Sequence, residues 1–266
     1  PTPLAPAGQT TADLDHLSET VTRTVTYVTE DQDGSNRQSA GIADQTDSLH
    51  FTRKGTINLV TGETSLEDWA AQDGTSFVAL ENPVKKGYVL VAEESTDVAS
   101  SDLTKAGEHT SIHADAADIT DTVIYRPVGA YRISYATGKE PAHAQKEITY
   151  LNDPTNPTAI ASPTATLPYV EGLEPKDARG QVLNLVDPLD ETKGYLLPSP
   201  ESPTADTAIT YAITKGSVRV RFLTEGGDTD LQEAQDLATE VDFGTKYTSE
   251  APTEITKDGR IYHLVG

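Results

Sequence analysis

Two short stretches carry side chains of the type and spacing that metal chemistry would need. In "RTVTYVTEDQDG", from Arg23, Asp31 and Asp33 stand one residue apart ahead of Gly34. A calcium loop of the EF-hand kind needs carboxylates at its first, third and fifth positions, glycine at the sixth and a bidentate glutamate at the twelfth, because the ion takes about six to eight oxygens. In that register the first position is Thr29 and the twelfth is Ala40. The match fails at both ends, and an acidic hairpin turn is the better reading. In "HTSIH", His109 and His113 have the i, i+4 spacing that would place two imidazoles on one helical face. A zinc peptidase needs glutamate directly after the first histidine, and Thr110 occupies that place. The Thr, Ser and Ile between the histidines favour an extended loop. No metal ligand is assigned, structural calcium has no motif behind it, and no cofactor is expected.

Catalytic patterns are equally thin. There is no Gly-x-Ser-x-Gly elbow, no cysteine and no glycine-rich phosphate loop leading into a helix. Carboxylates are abundant because the chain holds 42 of them, and no motif singles out a pair for acid and base work. No catalytic residue is expected, and the chain reads as a non-enzyme. Trp69 is the lone tryptophan. It could stack on a sugar or anchor a core, and a small, aromatic-poor domain favours the core. Tyr27, Tyr125, Tyr135 and Tyr211 alternate with β-branched residues and are expected in cores, whereas Tyr88 and Tyr195, each after Lys-Gly, are expected at strand starts. Ligand-binding residues stay unassigned.

The elements that would position these groups are short strands. Of the 266 residues, 36% are hydrophobic and 6% aromatic, which predicts two or three small, mainly β modules instead of one large core. With 42 acidic and 20 basic side chains the net charge is −22. Such a field repels phosphate backbones and anionic lipid, so nucleic-acid and membrane-surface partners are not expected. Cysteine and methionine are both absent. The first absence excludes disulfides and thiolate sites, and the second marks the chain as an expected piece of a longer one. No signal peptide, membrane-spanning run or sorting signal is visible in it.

Self-similarity organises the rest. Three segments open alike, "RTVTYVTEDQDG" from Arg23, "AYRISYATGKEP" from Ala130 and "SVRVRFLTEGGD" from Ser217, with the openings aligned at Thr24, Tyr131 and Val218. Each alternates as a half-buried strand does and runs into a glycine turn. The turns Gly138-Lys139 and Gly226-Gly227-Asp228 lack the acidic cluster of the first, which favours a module boundary over a metal site. Two segments close alike, "DITDTVIYRPVG" and "TADTAITYAITKG", and each is preceded by a Lys-Gly-Tyr, in "NPVKKGYVLVAEES" and "DPLDETKGYLLPSPES". The first copy holds an insertion with a hairpin turn at Thr61-Gly62, and the third lacks a comparable closing strand. The expected division is a Pro/Thr/Ala-rich linker over 1–19, a first module over 20–129, a second β-rich module over 130–216, and a third over 217–266 that is incomplete unless it closes differently. Two stretches stay open between helix and strand: "SLEDWAAQ" at Ser65, with a Ser-x-x-Asp capping pattern, and "DLQEAQDLATE" from Asp230, with Leu231, Ala234 and Leu237 on one stripe.

The run "RTVTYV", then "HFTRKGTINLVTGETSLEDW", "NPVKKGY" and "TVIYRP", resembles the Mub-type repeat of mucus-binding adhesins from lactobacilli and related Gram-positive bacteria, over about residues 20–128. Residues 217–266 are similar to the smaller MucBP-type module of the same adhesins, and residues 130–216 resemble it through their ends and their Lys-Gly-Tyr. The resemblance implies tandem β-grasp (ubiquitin-like, α+β) modules in an elongated, cell-wall-anchored extracellular protein. It also implies multivalent binding of mucin glycoproteins or their glycans and, in some members, of immunoglobulin. Two other readings stay open: a stalk that projects a distal binding domain, and a binder of a host protein such as immunoglobulin.

Overall fold

The computed structural model describes residues 16–265, so most of the linker expected over 1–19 lies outside the described residues. Among the described residues helix is confined to one 3-10 turn, Glu191–Lys193, and the chain is otherwise strand and turn. Among the described residues no helix is long and apolar enough to cross a membrane. The chain divides into two compact units. The first comprises the residues up to Ala130 together with Thr149–Ser162 and Pro200–Asp206; the second comprises Tyr131–Ile148, Pro163–Ser199 and Thr207–Gly266.

The first unit contains β1 (Ser18–Thr29), β2 (Gln38–Ser39), β3 (Gln45–Thr52), β4 (Gly55–Ile57), β5 (Thr64–Leu66), β6 (Ala70–Ala71), β7 (Leu80–Glu81), β8 (Tyr88–Ser95), β9 (Lys105–Ala106) and β10 (Ile119–Pro127). Its main sheet has the order β6-β3-β1-β10-β8, with β2 also paired to β1. At the centre β1 and β10 run parallel, Val25 opposite Asp121 and Tyr27 opposite Val123. Alternation puts Val21, Arg23, Val25 and Tyr27 on the buried face of β1, because successive side chains of a strand point to opposite faces. Within the insertion β4 and β5 form the hairpin expected around Thr61-Gly62, with Gly62 at φ 79° where a left-handed turn needs it.

Apart from the end residues Ala130 and Thr149, the second unit contains β11 (Ala130–Tyr135), β12 (Glu147–Thr149), β13 (Thr166–Leu167), β14 (Leu173–Lys176), β15 (Tyr195–Leu196), β16 (Thr207–Ile213), β17 (Lys215–Val220), β18 (Gln235–Asp242), β19 (Glu254–Lys257) and β20 (Arg260–His263). Its four-stranded sheet has the order β12-β11-β16-β14, and β11 and β16 are again parallel, Tyr135 opposite Tyr211. Each sheet thus places an opening strand beside a closing strand. The third opening segment behaves differently: among the described residues β17 pairs with β18 alone, and β19 with β20.

Both stretches left open between helix and strand are extended. Ser65 lies in β5, and Ala70 and Ala71 form β6 against Phe51 and Thr52. Gln235–Asp242 is β18, antiparallel to β17. The capping pattern and the Leu-Ala-Leu stripe lose to hydrogen bonding with a neighbouring strand, an override that local propensity cannot anticipate.

Candidate functional site

The chemistry of the first unit concentrates on one layer of its core. On β1, Arg23 lies between Val21 and Val25; on β10, Asp121 lies between Ile119 and Val123. Arg23 and Asp121 are both fully buried. They separate two apolar clusters, one containing Val21, Leu49, Phe51, Phe77 and Ile119, the other Val25, Tyr27, Leu90, Val123 and Tyr125. A polar seam therefore crosses the core between two hydrophobic layers.

Each charged group of the seam has at least one partner, as burial demands, although Arg23 Nε and Glu93 Oε2 are buried without one. The Arg23 guanidinium donates from Nη1 to the carbonyls of Val78, at 2.7 Å, and Gly107, and from Nη2 to the half-exposed Asp47. It also lies 5.2 Å from the centre of the Phe77 ring. Asp121 accepts from Ser95 Oγ at 2.6 Å and meets His109 Nε2 at 3.0 and 3.1 Å. The other ring nitrogen, Nδ1, lies 2.8 Å from Asp97 Oδ2. Glu93 Oε1 accepts from the backbone N–H of Ser100 at 3.2 Å and of Gly107 at 3.3 Å. Burial pushes the Glu93 carboxyl above the usual range, with Asp121 adding to the effect and the two N–H groups opposing it. Gly107, at φ 64°, lets the chain pass: a Cβ there would sit 2.3 Å from Asp121 Oδ2 and 3.2 Å from Arg23 Nη1.

Neither candidate metal stretch gathers ligands. In the acidic turn Asp33 Oδ1 accepts from the Ser35 N–H and hydroxyl, and Asp31 Oδ2 accepts from Asn36 Nδ2 at 2.6 Å. Its carboxylates serve the turn itself. His109 is buried in the seam, whereas His113 is exposed in a non-helical stretch, so the two imidazoles do not share a helical face. Among the described residues no group of three His, Asp or Glu side chains is arranged to hold a metal ion.

Trp69 packs against the first apolar cluster, and the Arg53 guanidinium lies 4.3 Å above its ring. A sugar stacking on that face would have to displace Arg53. Tyr27, Tyr125 and Tyr211 are core residues, and Tyr135 stacks on Tyr211 with ring centres 4.8 Å apart. Tyr88 and Tyr195 begin β8 and β15, and Tyr195 is buried as well. In the second unit Phe222, Leu223, Leu231, Ile255, Tyr262 and Leu264 line a cleft of about 310 Å³. Sequence reasoning missed the seam, although its signal was present: a charge in phase with flanking valines on each of two adjacent strands.

A family model, the Muc B2-like domain, matches residues 12–129, the stretch that carries β1 to β10. The buried seam lies within the stretch that this family model matches. Similar solved structures include the following three. Mub-RV shares 27% identity over 41% of this chain and 53% of its own, with a TM-score of 0.30. The mucin-binding domain of Spr1345 from Streptococcus pneumoniae shares 20% over 42% of this chain and 92% of its own, at 0.29. The type 2 repeat of the mucus binding protein MUB from Lactobacillus reuteri shares 26% over 42% and 50%, at 0.28. The chain spans about half the length of Mub-RV and of the type 2 repeat. No curated protein matches it.

Proposed function

We propose that this chain is a non-catalytic adhesive segment of an extracellular, cell-wall-anchored bacterial protein, and that its Muc B2-like domain binds mucin glycoproteins through their glycans. The observation that carries the reading is the family match over residues 12–129. The two sheets, each with an opening strand parallel to a closing strand, support a tandem β-grasp arrangement with modules over 20–129, 130–216 and 217–266. Repetition of a weak site would raise affinity by effective concentration without new contacts. Charge attraction contributes nothing, since a chain at −22 meets mucins bearing sialic acid and sulfate. Neutral sugars, hydrogen bonds and multivalency carry the binding.

The test is retention of the purified chain on immobilised mucin before and after enzymatic deglycosylation. Saturable binding that disappears with the glycans is the expected result. Binding that survives deglycosylation would assign the chain to a protein ligand, and no binding would make it a spacer; either result overturns the glycan reading.

A further inference from the structure

In each of the two larger sheets a closing strand lies between the opening strand and one further strand: β10 between β1 and β8, β16 between β11 and β14. Three features recur around it. The closing strand runs parallel to the opening one and antiparallel to the further one. An aspartate directly ahead of it accepts from a backbone N–H of the opening strand, Asp118 from Thr22 at 2.8 Å and Asp206 from Ala130 at 2.9 Å. A buried tyrosine within it donates to the carbonyl of a proline that precedes the further strand, Tyr125 to Pro83 and Tyr211 to Pro168.

The third copy has the surroundings of such a strand without the strand. β18 fills one edge of β17, as β3 does for β1 and β12 for β11, and among the described residues nothing pairs with the other edge. The residues just past β17, Phe222 and Leu223 among them, share the cleft of about 310 Å³ with Pro252, Ile255 of β19 and Tyr262 of β20. Pro252 precedes the β19–β20 hairpin as Pro83 precedes β8 and Pro168 precedes β14. No core has closed here: among the described residues none from Lys215 onward is buried. Val218 and Val220 of β17 are only half-buried, whereas Tyr131 and Ile133 of β11 are buried. Two separate hairpins have too few strands to seal an apolar face, and an open edge presents unpaired N–H and C=O groups to any strand that fits.

We propose that the open edge of β17 and this cleft form a docking groove for one extended peptide strand of the closing type. The strand adds parallel to β17, with an aspartate at its head to accept from a β17 N–H and a tyrosine whose phenol donates to the Pro252 carbonyl. Main-chain hydrogen bonds supply the affinity of such an addition, and the pockets for alternate side chains supply its selectivity. A folded second copy has no strand of this type to offer, because β10 and β16 are both interior strands of their own sheets. The groove therefore selects a closing strand that is not already paired.

The probe is a synthetic peptide of residues Asp206–Ile213, titrated into the full chain and followed by NMR. Saturable shifts are expected at β17, Leu223 and Tyr262, together with slowed hydrogen exchange of the β17 amides that point away from β18. A spin label at the amino end of the peptide should broaden Lys215 and Gly216 more than Val220, as a parallel strand requires. Tyr211→Phe in the peptide should weaken binding about five- to tenfold, the loss of one hydrogen bond, and a peptide of the same composition in scrambled order should not bind. The absence of saturable shifts would overturn the proposal, as would the opposite broadening pattern or shifts centred on β11. Protection of β17 that grows with the concentration of the chain alone would overturn it too, by placing a second copy in the groove. Mucin takes no part in these readouts, so their outcome is independent of the adhesive reading.

Discussion

Tyr125 on β10 and Tyr211 on β16 are completely buried, and each donates its phenol proton to a proline carbonyl at 2.6 Å, Pro83 in one unit and Pro168 in the other. Burial pushes both phenols well above their ordinary range, so both remain donors throughout the working pH range. Tyr125→Phe and Tyr211→Phe should each cost about 1–2 kcal/mol, the penalty for a carbonyl left without its donor, with almost no change in packed volume. Separate urea titrations of the two variants would check this, and an effect within error for both would show that water replaces the hydroxyls. These tyrosines also show what the sequence could not settle. Aligned by register, Tyr125 and Tyr211 face Thr29 and Tyr135, which sets Val25 and not Thr24 beside Tyr131. The repeat itself was legible from alternating β-branched residues. Its phase was not, because a period of two looks nearly the same after a slip of one residue, and the slip exchanges the buried and exposed sets. For the same reason Arg23 read as an ordinary polar residue of a repeated opening, although it lies on the core face. Its counterpart in that register is Gly129, and that of Asp121 is Thr207. The second unit therefore lacks the pair that builds the seam.

Among elements, the shared Lys-Gly-Tyr was the most readable, and its physical basis is the glycine. Gly87 and Gly194 stand at φ 81° and 86° immediately before β8 and β15, in the left-handed region that a Cβ disfavours. Their surroundings differ. A Cβ on Gly87 would meet nothing within 4 Å, whereas one on Gly194 would sit 2.1 Å from the Leu167 carbonyl oxygen of β13. Gly87→Ala should thus cost about 1–2 kcal/mol from backbone conformation alone. Gly194→Ala should cost clearly more and weaken the pairing of β13 with β15. Calorimetric unfolding of the two variants separates these cases, and equal losses would mean that β13 moves aside freely. The motif announced a turn in both copies, but the close approach that makes one glycine far less replaceable depends on β13, a strand of two residues that no sequence pattern marked. The two stretches that could have been helices failed for a related reason. Thr239 and Val241 suit the sheet, and the partner that decides the matter, β17, is remote in sequence.

At the scale of the whole molecule the dominant quantity is the charge of −22. It is unevenly compensated: Arg37 bridges Glu30 and Glu94, and Arg126 also binds Glu30, so this buried carboxylate is held below its usual range mainly by its hydrogen bond from Arg37 and then by that from Arg126. A depressed carboxylate contributes stability that is present above its unfolded value and lost as pH falls through its folded one, so the Glu30 contribution is lost only on the acid side of the usual carboxylate range. Most other carboxylates are exposed, and they set the long-range field that an anionic mucin would meet. Between charges that repel at a distance, salt and protons act alike. Raising ionic strength from about 0.1 M to 1 M shortens the screening length from about 10 Å to 3 Å, and lowering the pH toward about 4–5 begins to neutralise the carboxylates. If mucin retention rests on neutral sugars, both changes should strengthen it, and removing sialic acid should make the salt effect shrink. Retention measured over a salt series at neutral pH, on native and desialylated mucin, decides the matter. Weakening by salt would mean that local cationic contacts outweigh the overall field, and the search for the contact face would then turn to the exposed arginines and lysines of each unit.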